Sequence, residues 1–276
     1  MYCKYYGLKE RPFNVTSDPS FFFSSKKHKE AISHLLYGVS QRKGIIVLTG
    51  EIGTGKTTIC RFFLNQVTKN VKTAFILNPT FSEVQLLESI IKDFGLSSKN
   101  RTKLGMVLEL NNFLLRESQA GNNLVLIVDE AQNLKPDLLE QIRLLSNLET
   151  EKDKLLQVIL VGQPELNNRL NLHDLRQLRQ RIMVRYHITP LDQDEIKSYI
   201  NHRLEIASTD KKIVFTDEAI SMISRFSSGT PRLINMICDR ALLAGYVSET
   251  NQIDFNILKK CTEELDSYSV GQTAWA

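Results

Sequence analysis

A glycine-rich turn constrains the fold of this chain more than any other feature of its sequence. The turn fits the pattern G-x-x-x-x-G-K-[ST] and lies between an apolar run at residues 45–49 and a helical pattern at residues 56–68. A buried strand that leads into such a turn and a helix that leads out of it form a phosphate-binding unit. The turn reads Gly50-Glu51-Ile52-Gly53-Thr54-Gly55-Lys56-Thr57.

The residue types of this turn suit the phosphates of a nucleotide. Glycines let successive backbone N–H groups point at phosphate oxygens, and the start of the following helix adds the positive end of its dipole. Lys56 can reach the terminal phosphates, and the Thr57 hydroxyl can ligate Mg²⁺. The alternative is a glycine-rich structural turn, which the flanking strand and helix disfavour.

A second motif supplies two carboxylates. The apolar run at residues 124–128 is followed directly by Asp129 and Glu130, which is the arrangement of a Walker B element. Asp129 would hold Mg²⁺ together with Thr57, and Glu130 would orient or deprotonate the water that attacks the γ-phosphate. The alternative is an exposed acidic strand end. We therefore predict an ATPase with ATP and Mg²⁺ as cofactors. The predicted cofactor-binding residues are Gly50, Glu51, Ile52, Gly53, Thr54, Gly55, Lys56, Thr57, Thr58 and Asp129.

Short apolar runs alternate with helical patterns over the first two thirds of the chain. Nearly continuous apolar strands are typical of a parallel sheet that helices cover on both faces, so the alternation predicts an α/β domain. The predicted strands are 45–49, 73–77, 124–128, 156–161 and 184–188. The predicted helices of this part are 56–68, 82–94, 104–118 and 137–148.

After Pro190 the pattern changes to helices only, with Thr216 and Asp254 as candidate N-caps. The predicted helices are 192–207, 217–226, 231–246 and 255–265. We therefore divide the chain into an α/β domain at residues 1–190 and a helical domain at residues 191–276. The N-terminal part of the first domain, to about residue 43, is predicted to form an apolar strap beside the nucleotide site, and simple packing of its aromatic side chains is the favoured alternative.

Composition excludes several other classes of protein. The 276 residues include four cysteines without a Cys-x-x-Cys pair, which argues against a disulfide framework or a zinc site. The net charge of +4 is too mild to indicate nucleic acid by itself. No apolar run approaches the roughly 18 residues of a membrane span, and the N-terminus lacks a signal-peptide pattern. We therefore expect a cytoplasmic chain with no transmembrane segment.

An additional strand and helix, beginning with the predicted strand at residues 73–77, lie between the two motifs. With this insertion the chain resembles the AAA+ ATPases. The resemblance implies a mainly parallel five-stranded sheet flanked by helices, followed by a small all-α lid domain. It also implies a homo-oligomer, because these proteins resemble one another in completing each site with an arginine from a neighbour.

The resemblance assigns roles to further polar residues. Gln163, after the strand at 156–161, matches the sensor 1 residue that touches the γ-phosphate or the attacking water; the alternative is helix capping before Pro164. Arg232 matches the sensor 2 arginine that reaches from the lid to the phosphates; the alternative is a surface arginine at a helix start. Asn78 matches a polar residue that restrains the catalytic glutamate, or it is a turn asparagine.

Five arginines precede or begin the fifth predicted strand against a single acid, Asp174. They are Arg169, Arg176, Arg179, Arg181 and Arg185. The AAA+ resemblance implies an arginine finger here, with Arg181 as first choice and Arg176 or Arg179 as alternatives. A surface for a polyanion such as DNA and a solvated basic helix are the other interpretations. The predicted catalytic residues are Glu130, Arg181, Gln163 and Arg232.

Several segments resemble the ExeA-type general secretion pathway protein A ATPases more specifically. They are residues 5–13, 18–19, 28–31, 36–39, 129–134 and 162–166. The resemblance implies an ATPase that helps to assemble a secretin or type IV pilus-like machine, with secretion or pilus assembly proteins as partners. It also implies association with the bacterial inner membrane through a partner or a C-terminal region. Members of the family continue into a membrane helix and a peptidoglycan-binding domain, which these 276 residues do not include, so the chain is either part of a longer member or a stand-alone relative.

Two other functions remain open at this point. The transposition ATPases that bind DNA share the AAA+ core and a similar region around residues 129–132, so a DNA-binding regulator is the second hypothesis. A nucleotide-gated scaffold that does not hydrolyse ATP is the third, and the presence of both Glu130 and Arg181 disfavours it.

Overall fold

The computed structural model describes residues 1–16, 18–97, 102–151, 153–208 and 213–270, with side chains described as far as residue 265. The described residues form two compact units. The α/β unit comprises Lys26–Ile52 and Lys56–Thr189, and the helical unit takes its residues from Met1–Ser25, Gly53–Gly55 and Pro190–Ala276.

Five strands form the sheet of the α/β unit in the order β2-β3-β4-β1-β5, and every pairing is parallel. They are β1 (Ile45–Gly50), β2 (Val71–Ile76), β3 (Asn123–Val128), β4 (Leu156–Gly162) and β5 (Ile182–Ile188). The three central strands are buried along their whole length because helices cover both faces of the sheet. The predicted five-stranded parallel sheet is therefore confirmed.

Helix α1 (Tyr2–Tyr6) lies in the helical unit, and the described residues of the α/β unit form seven α-helices that flank its sheet. They are α2 (Lys26–Ser40), α3 (Lys56–Gln66), α4 (Glu83–Asp93), α5 (Lys103–Gln119), α6 (Pro136–Leu145), α7 (Glu165–Leu170) and α8 (Arg176–Gln180). One apolar core includes Leu126 and Val158 of the sheet, Leu87 of α4 and Leu139 of α6. α4 begins at a capping box in which Ser82 and Gln85 satisfy each other's backbone N–H groups.

The described part of the helical unit contains four longer helices and two short strands. The helices are α9 (Gln193–Ala207), α10 (Asp217–Ser227), α11 (Pro231–Val247) and α12 (Phe255–Val270). Strands β6 (Val214–Phe215) and β7 (Gln252–Ile253) pair in parallel, so the prediction of helices only after Pro190 was wrong at these two places. Thr216 accepts a hydrogen bond from the Ala219 N–H at 3.2 Å, which confirms its predicted capping role.

The N-terminal segment belongs to the helical unit up to Ser25, whereas the sequence-based division placed it in the α/β domain. Its aromatic side chains explain the difference, because Tyr6, Phe13 and Phe21 are buried in the same apolar core as α9 and α11. The Phe13 ring meets the Phe215 ring edge to face at a centroid distance of 6.3 Å. The free energy gained by burying these aromatic rings exceeds any local conformational preference of this segment, which contains no strand.

A buried arginine on α9 fastens this segment. Arg203 is 6% exposed and donates to the carbonyls of Pro12 and of Asn14, the latter at 3.1 Å. It also donates to the Tyr199 hydroxyl at 3.2 Å, and its guanidinium lies 4.8 Å from the Phe21 ring centroid. The charge is thus stabilised by two carbonyls and by aromatic faces.

We expect Arg203→Met to lower the free energy of unfolding by about 3 kcal/mol, because the buried Pro12 carbonyl and the partly buried Asn14 carbonyl lose a charged donor. Urea unfolding measures the loss, and hydrogen exchange of the first 16 residues shows whether the segment is released. Arg225→Met replaces an exposed arginine on α10 and is the matched control, with an expected change within about 0.5 kcal/mol. Equal stability of the two variants would contradict the role of Arg203.

Candidate nucleotide site

The predicted site residues of the α/β unit follow three neighbouring strands. The glycine-rich turn follows β1, Asp129 and Glu130 follow β3, and Gln163 follows β4. All three strands are parallel, so their carboxyl ends meet at one edge of the sheet. Ligand sites of open α/β sheets lie at this edge.

The lysine of the turn is held inside it. Lys56 is 7% exposed, and its ammonium group donates to the carbonyls of Gly50 at 2.8 Å and Glu51 at 2.9 Å. Burial lowers the pKa of Lys56, and the nearby carboxylates of Glu130 and Asp129 act in the opposite direction. The side chain is therefore a fixed cation at the start of α3.

Two glycines give the turn its backbone path. Gly53 has a φ of +82° and Gly55 a φ of +91°, a region that other residues adopt only with strain. A Cβ at Gly53 would lie 2.6 Å from the Arg232 Cβ, and both residues belong to the helical unit. The Arg232 N–H donates to the Gly53 carbonyl at 3.2 Å, which satisfies a free donor of the first turn of α11. The Arg232 side chain is exposed.

Thr57 and Asp129 are in direct contact. The Thr57 hydroxyl donates to Asp129 Oδ2 at 2.6 Å, and Asp129 Oδ1 accepts the Glu130 N–H at 2.9 Å. Asp129 is 1% exposed, and this burial raises its pKa, although the Thr57 hydrogen bond opposes the shift. The two predicted metal ligands therefore lie side by side.

These residues fit Mg²⁺ better than a metal that needs a full protein cage. Within the described residues no group of three His, Cys, Asp or Glu side chains could hold a metal ion. Mg²⁺ keeps several waters and takes one or two protein oxygens together with substrate phosphates, which matches one hydroxyl beside one carboxylate. The glycine turn and the buried Lys56 would provide the complementary phosphate contacts.

Glu130 lies in the left-handed region with a φ of 52°. Its Oε2 accepts a hydrogen bond from Gln132 Nε2 at 2.5 Å and a longer one from Gln163 Nε2 at 3.4 Å. Gln132 Oε1 in turn accepts the Gln163 backbone N–H at 3.0 Å. The structure thus brings Glu130 and Gln163 together, through a glutamine to which the sequence analysis gave no role.

Among the described residues, the Asn78 side chain hydrogen-bonds to Asn133 and not to Glu130, the residue that the family pattern implies. Its Oδ1 accepts a hydrogen bond from Asn133 Nδ2 at 3.2 Å. Both asparagines follow strands at the same sheet edge, so the contact fastens β2 to the turn after β3. Gln132 takes the place beside Glu130 because it lies in the one-turn 3-10 helix Ala131–Asn133 that begins next to it.

The predicted finger lies at the other end of the sheet. Arg181 immediately precedes β5, whose first residue Ile182 pairs with Ile45 at the start of β1, whereas the glycine turn follows the end of β1. Six residues of strand separate the two ends by roughly 20 Å. Arg181 therefore cannot reach the glycine turn of its own α/β unit without unfolding the sheet.

The other arginines of this region differ in their contacts. Arg169 donates to the Leu134 carbonyl at 2.7 Å, so its guanidinium is engaged within its own chain. Arg176, Arg179 and Arg185 are exposed, and Arg181 is half-buried. The arginines with exposed side chains remain available to a neighbouring molecule.

The part of the chain that the structure describes has no helix long and apolar enough to cross a membrane.

Comparisons with known proteins agree with this architecture. Residues 39–170 match the sequence model of a family described as AAA domain. General secretion pathway protein A of Aeromonas hydrophila is 44% identical over 254 residues, which cover 92% of this chain. The chain spans about half of that relative's length, 46%.

Two solved structures share the fold. The Aeropyrum pernix ORC2 protein in its ADPNP-ADP complexes has a TM-score of 0.69 and 16% identity, over 93% of this chain and 72% of that one. Cdc6p from Pyrobaculum aerophilum has a TM-score of 0.68 and 18% identity, over 90% and 70% of the two chains. Residues 39–170 therefore match an AAA domain, and the chain is similar over 92% of its length to part of general secretion pathway protein A.

Proposed function

We propose that the chain is a Mg²⁺-dependent ATPase that hydrolyses ATP at the carboxyl edge of its sheet. The observation that carries the proposal is the grouping of a buried lysine, a threonine–aspartate pair and a restrained glutamate at that edge. Similarity to an ORC2 protein with bound ADPNP and ADP supports the choice of an adenine nucleotide. The two proposed functional domains are the α/β domain and the helical lid at residues 191–276, and the N-terminal segment belongs with the lid.

The binding residues act through charge and backbone dipoles. Backbone N–H groups from Gly50 to Thr58, with the ammonium group of Lys56, would hold the phosphates. Thr57 and Asp129 would hold Mg²⁺, which when bound neutralises phosphate charge. Burial of Lys56 and Asp129 strengthens these interactions because the local dielectric is low.

Glu130 is the residue proposed to activate the attacking water. Its carboxylate would orient the water and accept its proton, while Gln163 would fix the geometry beside it. Arg232 would respond to nucleotide from the same chain's lid. Arg181 would be delivered by a neighbouring subunit, since it lies roughly 20 Å along the sheet from its own glycine turn. The proposed working form is therefore a homo-oligomer.

The relative's name supports a place in bacterial secretion. We propose that nucleotide-driven changes of lid or oligomer assist assembly of a secretion or pilus-type envelope machine, from the cytoplasm and in association with the inner membrane. The sequence spans about half of the relative, so these partners are inferred from similarity. Stimulation of turnover by duplex DNA, with a steep salt dependence and no response to membranes, would instead favour the transposition-type regulator.

Lys56→Ala tests the binding part of the proposal. We expect the affinity for a fluorescent ATP analogue to fall by about 100-fold or more, because the phosphates lose a desolvated cation. Lys92→Ala removes an exposed lysine of α4 and is the control, which should bind as the parent does. Parental affinity of a folded Lys56→Ala variant would rule out the glycine turn as the phosphate site.

A further inference from the structure

We propose that Gln132 is the positioning residue for Glu130, and that it couples the catalytic carboxylate to the Gln163 backbone. The inference rests on the proposed ATPase function and deepens it. Gln132 makes no contact with nucleotide in this account and acts only through Glu130.

The hydrogen bonds of Gln132 admit one orientation of its amide. A carboxylate can only accept and a backbone N–H can only donate, so Nε2 must face Glu130 and Oε1 must face Gln163. The two distances are 2.5 Å and 3.0 Å. Gln132 is 8% exposed, so the amide has little room to exchange these partners for water. The side chain is a fixed bridge between the end of β3 and the end of β4.

Two neighbouring contacts hold the bridge in place. A Cβ at Gly162 would lie 2.8 Å from Gln132 Oε1, so the absence of a side chain at this position makes room for the amide. Arg169 of α7 donates to the Leu134 carbonyl at 2.7 Å, just beyond the 3-10 helix that carries Gln132. Gly162 of β4 thus leaves room for the amide, and Arg169 of α7 fastens the turn just after Gln132.

The bridge leaves one carboxylate oxygen of Glu130 for chemistry. Both side-chain hydrogen bonds of Glu130 among the described residues use Oε2. Oε1 is then the oxygen that would accept the proton of the attacking water. Without Gln132 the carboxylate would rotate more freely, and the population in the productive orientation would fall.

Two substitutions separate the two ends of the bridge. Gln132→Glu keeps an acceptor for the Gln163 N–H but replaces the donor to Glu130 by a second carboxylate. Gln132→Met keeps the size of the side chain and removes both contacts. We expect kcat to fall by about tenfold or more in both variants, with KM for ATP and the affinity for the ATP analogue within about twofold of the parent.

Hydrogen exchange gives the independent readout. The Gln163 amide should exchange faster in Gln132→Met and at the parental rate in Gln132→Glu, because only the second variant keeps its acceptor. Gln141→Met replaces a buried glutamine of α6 whose side-chain carbonyl has no hydrogen-bond partner among the described residues, and it should change neither kcat nor the Gln163 exchange rate. A double-mutant cycle uses the Glu130→Gln background. In that background Gln132→Met should change the single-turnover rate of hydrolysis by less than about twofold.

Three outcomes would overturn the inference. Parental kcat in both Gln132 variants would show that Glu130 needs no positioning. If kcat fell in Gln132→Met but stayed at the parental value in Gln132→Glu, the glutamine would maintain the fold through Gln163. The same conclusion would follow if Gln132→Met lowered the hydrolysis rate equally in the Glu130→Gln background. A parent chain without any ATP turnover would instead overturn the proposed function, and the catalytic role of Gln132 with it.

Discussion

The Glu130→Gln variant should bind ATP as tightly as the parent and hydrolyse it about 1,000-fold more slowly. Phosphate contacts through Lys56 and metal contacts through Thr57 and Asp129 do not involve the Glu130 carboxylate, so binding is retained. Proton acceptance from water is lost because an amide is not a base, and such a loss lies within the usual range of about 100 to 10,000-fold. Phosphate release under single-turnover conditions and analogue binding measure the two quantities.

The control for this experiment is Glu88→Gln on the exposed side of α4. It removes one carboxylate at a distance from the carboxyl edge of β3 and should keep the parental rate. If Glu130→Gln also hydrolysed ATP within a few-fold of the parent, another group would have to activate the water. The assignment of Glu130 as the catalytic base would then be wrong.

Mixing two inactive variants should restore activity if Arg181 works on a neighbouring subunit. Arg181→Ala subunits keep the glycine turn and should bind ATP but turn it over poorly, since an arginine finger is worth about 1,000-fold or more in rate. Lys56→Ala subunits lack a functional phosphate site but keep Arg181. A mixed oligomer therefore contains interfaces at which an intact Arg181 meets an intact site.

The position of Arg181 makes this prediction strict. Its own glycine turn lies roughly 20 Å away along the sheet, so no rearrangement of a side chain can restore activity within one chain. Arg185→Ala provides the control, because Arg185 carries the same charge as Arg181 but is exposed on β5. Mixtures that remain inactive, although mixed oligomers are shown to form, would point to Arg176, Arg179 or a polyanion-binding role.

The fold was predictable from the sequence where burial alone decides the structure. β3 is buried along its whole length, and its apolar run reads as a strand without reference to anything else. The carboxylates after it and the glycine turn after β1 then locate the site, because parallel strands bring their carboxyl ends to one edge. The AAA domain and the order of the strands agree with that reading.

The placement of the N-terminal segment could not be predicted in the same way. Its aromatic residues indicate burial, but periodicity does not say which core receives them. The structure buries Tyr6 and Phe13 in the helical unit, and Arg203 on α9 provides the polar contacts. Strands β6 and β7 have two residues each, too short for any alternation to be visible.

Gln132 was missed for a related reason. A single glutamine two positions after Glu130 has no signature of its own, and its role depends on the left-handed backbone of Glu130. That conformation turns the following 3-10 helix so that the amide reaches both Glu130 and the end of β4. The family pattern predicts that Asn78 restrains Glu130, whereas the Asn78 side chain contacts Asn133.

Phosphate release from ATP by the purified chain tests the central claim most directly. The assay uses Mg²⁺ and a range of protein concentrations, with Lys56→Ala and Glu130→Gln measured beside the parent. We predict saturable release by the parent, a rate per subunit that rises as oligomers form, and near-background release by both variants. If the parent released phosphate no faster than Glu130→Gln at every protein concentration, hydrolysis at this site would be contradicted.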